Sequence, residues 1–117
     1  MEFDLQSSRP IWLQLSEQLS RRILTGVYPP GSRFPTVRDL AAEAGVNPNT
    51  MQRAFTELER EGFVQTQRTA GRTVTEDRAR IAAEKERFAA AAVKTYYAAM
   101  QQLGYERAEA VSFIHQE

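Results

Sequence analysis

A glycine and a proline three residues apart, in Gly45-Val46-Asn47-Pro48, constrain this chain more than any other feature. Glycine ends one helix, and Asn-Pro restarts the chain as an N-cap followed by proline at the first helical position. The segment therefore reads as helix, tight turn, helix. Upstream, Thr36-Val37-Arg38-Asp39 has capping-box spacing, a hydroxyl at a helix start and a carboxylate three residues later, which predicts a second helix over Val37 to Ala44. Downstream, a third helix is expected from Pro48 to about Glu61, where Gly62 stops it, with Met51, Ala54, Phe55 and Leu58 as its apolar stripe. At ~100° per residue, its opposite face holds Asn49, Arg53, Thr56 and Arg60, flanked by Thr50 and Gln52.

The remaining elements fall around this pair. Ile11, Trp12, Leu15, Leu19 and Ile23 recur at helical steps between Pro10 and about Thr25, and Gly26 suits the position just past that first helix. Three prolines and Gly31 between Val27 and Pro35 exclude regular helix and favour a short extended segment or turn. Phe63 to Arg68 reads as a strand, Thr69-Ala70-Gly71 as a turn and Arg72 to Thr75 as a return strand. Residues 78–103 hold nine alanines and no glycine or proline, a long helix of ~39 Å. Gly104 ends it, and Glu106 to about Gln116 forms a shorter one. The expected fold class is mainly α with a small β-hairpin: a winged helix-turn-helix over residues 1–75, then a two-helix region over 76–117.

Composition excludes much. With no cysteine and a single histidine, His115, neither a disulfide framework nor a thiolate or histidine-cluster metal site is available. Glu84 and Glu86 have no partner histidine, and there is no glycine-rich phosphate loop, so neither enzymatic activity nor a cofactor is expected. No run approaches the ~20 apolar residues that span a bilayer, and MEFDLQSSRP lacks the basic and apolar regions of a secretion signal. A cytoplasmic protein without membrane contact is expected.

The formal net charge of 0 argues against binding nucleic acid by bulk electrostatics alone. Locally the picture differs. Residues 1–75 carry nine arginines, no lysine and eight acids, a net charge of +1, and none of the acids lies within 62–75. Arginine's planar fork suits guanine edges and phosphate. The major groove admits a helix whose first residues reach base edges. Asn47, Asn49, Thr50 and Gln52 can hydrogen-bond to phosphate or adenine, and Arg53 to guanine or backbone. Arg68 and Arg72, beside the compact turn at Gly71, would lie over the neighbouring minor groove. Double-stranded DNA is the expected partner. Arg60 is expected to pair with Glu57 or Glu61 instead, and Asn47 has a complete explanation as a cap. Trp12 and the Tyr96-Tyr97 pair read as packing residues. An alternative stays open, a winged-helix protein-interaction module without DNA affinity, which the neutral charge favours and the polar tip opposes.

Residues 10–75 resemble the DNA-binding domain of GntR-type bacterial transcription regulators. The resemblance rests on Pro30 to Pro35 (PGSRFP), Thr36-Val37-Arg38-Asp39-Leu40-Ala41 and the ending Leu58-Glu59-Arg60-Glu61-Gly62, in that order. It implies that Arg38 contacts DNA, that Thr36 holds a serine-or-threonine position, and that Thr50 matches the second of two threonines at the reading tip. The departures are Pro48 for a tip arginine, Asn49 for the first threonine, Gln52 for a further arginine, Arg53 where glutamate is frequent, and Thr69 for the first wing glycine, the second being kept as Gly71. The base sequence read by other members therefore does not transfer. The NPNT tip and the tail of 42 residues most resemble the short-tailed YtrA-like branch, whose likeness implies a homodimeric regulator, a repressor, controlling genes that often include a transporter.

The tail supplies its own argument for a partner. Ile81, Phe88, Ala92, Tyr96, Ala99 and Leu103 follow near-heptad steps along the long helix, and Val111 and Ile114 lie on the short one. An uncovered apolar stripe of this kind is expected to form a two-fold dimer interface, which would set two reading helices on an inverted repeat with half-sites about one helical turn, ~34 Å, or a multiple apart. So short a tail is expected to be too small to enclose a ligand pocket of ~300–1,000 Å³ alone. A small-molecule effector is not indicated.

Overall fold

The breakers divide the chain as the punctuation predicts. The computed structural model describes residues 2–69 and 71–116, so Ala70 of the expected turn lies outside the described residues. Five helices and two strands follow in order: α1 (Ile11–Leu24), α2 (Val37–Ala44), α3 (Pro48–Arg60), β1 (Val64–Gln67), β2 (Gly71–Val74), α4 (Arg78–Gln102) and α5 (Arg107–His115). Each helix end has a local cause. Pro10 stands as the N-cap of α1. Gly45 closes α2 in the left-handed conformation at φ 68°, where any other residue would be strained.

The chain forms two compact units, Met1–Ile81 and Ala82–Glu117. In the first, α1 and α2 both pack on α3. Leu15, Leu19 and Ile23 of α1, Leu40 and Ala41 of α2, and Met51, Ala54, Phe55 and Leu58 of α3 are buried together with Phe34, Phe63, Val64 and Val74. Tyr28, Phe34 and Phe55 continue this core as successive edge-to-face ring pairs about 5 Å apart. β1 and β2 pair antiparallel with Val64 opposite Val74 and Gln67 opposite Gly71. The proline-rich segment adds a third edge. Phe34 N–H donates to the Arg72 carbonyl, Val74 N–H to the Ser32 carbonyl, and Arg33 bridges Thr73. β2 is thereby paired along both edges.

The outer face of α1 is not bare. Gln14 pairs with the backbone of Gln6 in both directions and Gln18 with that of Asp4, so the two amides hold the segment before α1 as a neighbouring strand would. Beneath it lies buried Arg22, bonded to Tyr28 Oη and Glu43 at 2.8 Å each, with the Phe3 ring 4.2 Å away. Burial opposes its charge, but the bonds to Glu43 and Tyr28 outweigh that and hold its pKa above the ordinary arginine value.

The second unit contrasts with the first. No residue of α4 is buried, and in α5 only Ala110 is. Tyr96 Oη donates to the Ala110 carbonyl at 2.7 Å, and the Tyr105 and Phe113 rings meet edge to face. Glu106 and Glu109 form a reciprocal capping box at the start of α5. Leu103, Ile114 and Val93 remain 72%, 52% and 51% exposed. Tyr96, Met100, Leu103, Tyr105, Phe113 and Ile114 line an open, largely apolar groove of about 600 Å³.

Candidate nucleic-acid interface

Two helix starts carry the polar residues expected to meet a ligand, and each is built by its own cap. Asp39 N–H donates to Thr36 Oγ1 at 3.1 Å, and Asn49 N–H donates to Asn47 Oδ1 at 2.7 Å. Thr36 and Asn47 therefore spend a side-chain acceptor on positioning the helices. Thr36 forms only the hydroxyl half of the expected capping box, since Asp39 returns no bond to its backbone among the described contacts. After Asn47 and Pro48, Asn49, Gln52 and Arg53 are exposed and Thr50 is half-buried. The turn before α3 thus presents a short, uncharged polar tip followed by a cation.

Sorting the arginines of the first unit by partner separates structural charges from available ones. Arg9 pairs with Glu17, Arg22 with Glu43, Arg60 with Glu57 and Glu61, and Arg72 with Glu59. The Arg60 expectation is met. Its hydrogen bond also holds the Glu57 carboxyl below the usual range. Arg38 of α2, Arg68 beyond β1 and Arg33 before α2 are exposed and have no carboxylate partner among the described residues. Arg53 is likewise without a carboxylate, but its guanidinium carbon lies 4.3 Å from the centre of the Trp12 ring.

Arg72 differs from Arg68. Its Nε donates to Glu59 Oε1 at 2.5 Å and its guanidinium lies 5.1 Å from the Phe55 ring centre, so it ties the hairpin to α3. Arg68 extends past the end of β1, and Gly71 opens β2 at φ 70°. The sequence reading had no signal for the Glu59 partner, thirteen residues away. Arg33 was also missed as a site residue. Its bridge to Thr73 places it beside the hairpin, a long-range pairing that local patterning does not show.

Residues 12–74 match the family described as bacterial regulatory proteins, gntR family. The chain belongs to the GntR family. Over 114 residues this GntR protein is 33% identical to the uncharacterized HTH-type transcriptional regulator YhcF of Bacillus subtilis, spanning 97% of this chain and 94% of that one. It is 40% identical over 77 residues to the HTH-type transcriptional repressor YtrA of the same organism, 66% of this chain and 59% of YtrA. A solved GntR family transcriptional regulator from Listeria monocytogenes superposes with a TM-score of 0.87 at 31% identity, over 97% of this chain and 99% of the other. The protein is a DNA-binding transcriptional regulator and not an enzyme. No helix of the described residues is long and apolar enough to cross a membrane.

Proposed function

We propose that this GntR-family regulator binds an inverted-repeat operator as a homodimer and represses the genes beside it. The observation that carries the reading is the pairing of a complete, capped helix-turn-helix with a tail whose apolar side chains are left uncovered. In the first unit, α3 offers Asn47, Asn49, Thr50, Gln52 and Arg53 to base edges and phosphate. Arg38 adds a second cation from α2, while Thr36 orients that helix. Arg68 and the turn at Gly71 reach the adjoining groove, and Arg72 holds the hairpin at its angle.

Residues 76–117 supply the dimer. Ile81, Phe88, Ala92, Tyr96, Ala99 and Leu103 on α4 and the turn after it, with Val111 and Ile114 on α5, form the interface with a second copy. Support comes from the exposure of Leu103, Val111 and Ile114 and from the half-buried state of Ile81, Phe88 and Tyr96 in a single chain. Repression is supported by the likeness to a protein named as a repressor. Selection of duplexes from random-sequence DNA by the full chain tests this. It should return an inverted repeat with half-sites ~34 Å or a multiple apart, and a reporter placed behind that repeat should rise when the protein is removed. Enrichment of unpaired half-sites would overturn the dimeric reading.

A further inference from the structure

The exposed face of α3 carries two arginines one heptad apart, and they are held in opposite ways. Arg60 is neutralised, with Glu57 at 2.7 Å and Glu61 at 3.7 Å. Arg53 instead meets the chain's one tryptophan, Trp12, in the first turn of α1, with 4.3 Å between guanidinium carbon and ring centre. An aromatic ring attracts a cation through its quadrupole without cancelling its charge. Arg53 therefore keeps its full charge, and no hydrogen bond or ion pair takes its donors among the described residues.

Trp12 is half-buried, whereas Leu15, Leu19 and Ile23, which follow it along the same stripe of α1, are buried. Its ring thus lies at the margin of the core, where the stripe emerges beside α3. An exposed arginine would otherwise sample many rotamers, and ordering it on binding costs conformational entropy. A ring at this distance restricts that sampling before DNA arrives. We propose that Trp12 is a positioning residue for DNA recognition: it seats the Arg53 guanidinium on α1 so that this cation meets the groove already oriented. This rests on the reading of Arg53 as a DNA contact. It makes the first helix, which touches no base in that reading, a determinant of specificity. A seated arginine favours one base position, while a free one can settle on any nearby phosphate.

The test uses the full chain and a duplex selected from random-sequence DNA by the wild-type protein, with an unselected duplex as control at the same salt. Arg53→Ala should weaken the selected duplex roughly tenfold. Trp12→Leu should weaken it about two- to fivefold, the worth of an exposed cation–π contact, with little change on the unselected duplex and an unchanged salt slope, because the charge remains. Trp12→Phe should restore most of the loss. Trp12→Leu should add nothing in the Arg53→Ala background. An equal loss in both backgrounds, or equal losses on both duplexes, means Trp12 serves packing alone and overturns the proposal. If Arg53→Ala binds as well as wild type, the reading of Arg53 itself fails.

The tryptophan supplies a second readout should Trp12→Leu not fold. Trp12 emission in the free protein should shift on Arg53→Ala, and the change on adding the selected duplex should depend on Arg53. Unchanged emission in the Arg53→Ala protein would refute the contact.

Discussion

The same helical spacing has opposite outcomes in the two units. Leu15, Leu19 and Ile23 recur along α1 at steps of four and are buried against α3. Tyr96, Ala99 and Leu103 recur at steps of three and four in the tail, and Leu103 is the most exposed large apolar residue among those described. Periodicity specifies a face; only a neighbour turns the face into a core. The first unit supplies that neighbour from its own chain. The second holds Ala110 alone inside and leaves a groove lined by aromatic and aliphatic side chains, and the proposed dimer rests on that difference.

The largest effect that should separate the units is on stability. Phe55, fully buried beneath Phe34 and Arg72, should cost ~3–5 kcal/mol on Phe55→Ala. Leu103→Ala should change the stability of a single chain by no more than ~0.5 kcal/mol. Urea unfolding at low protein concentration checks both, and a large loss at Leu103 in the monomer would erase the contrast. Next comes binding without folding. Arg38→Ala should leave the melting temperature unchanged and cost ~1–3 kcal/mol on the selected operator at fixed salt. Unchanged affinity would remove Arg38 from the interface.

A smaller effect tests whether a cap also reads DNA. Asn47→Ala should lose ~1 kcal/mol of stability with the bond to Asn49 N–H, and Asn47→Ser should keep the cap without adding charge. If Asn47→Ser also keeps affinity, Asn47 only starts the helix; a loss would show that its amide meets DNA. The smallest effect is at Glu57, whose carboxyl is held low by the bond from Arg60. A depressed carboxyl stabilises the fold above its unfolded pKa, and that contribution is lost as pH falls through the depressed folded value. Wild type and Glu57→Gln should therefore differ slightly in melting temperature near neutrality and converge in acid. A gap that widens in acid would contradict the assignment.

Most element ends were legible in the sequence because each is set locally. Gly45, Asn47-Pro48 and Gly62 place α2 and α3 to within a residue, and nothing distant is needed to explain them. The chemistry of individual arginines was less legible. Arg72 looks like a free wing cation until the fold brings Glu59 to it, and Arg53 looks solvated until α1 brings Trp12. The clasp of the N-terminal segment by Gln14 and Gln18 is likewise a product of packing. At α5 a local signal existed, but a glutamate in the cap position hid the box formed by Glu106 and Glu109.

The central claim is that the tail completes itself with a second copy of the chain. Sedimentation equilibrium of the full chain at micromolar concentration, beside a Leu103→Glu/Ile114→Glu variant, tests it most directly. The account predicts a wild-type dimer, and a variant that sediments as a folded monomer with its operator binding largely lost. A wild-type chain that sediments as a monomer, or a variant that remains a dimer, would contradict it.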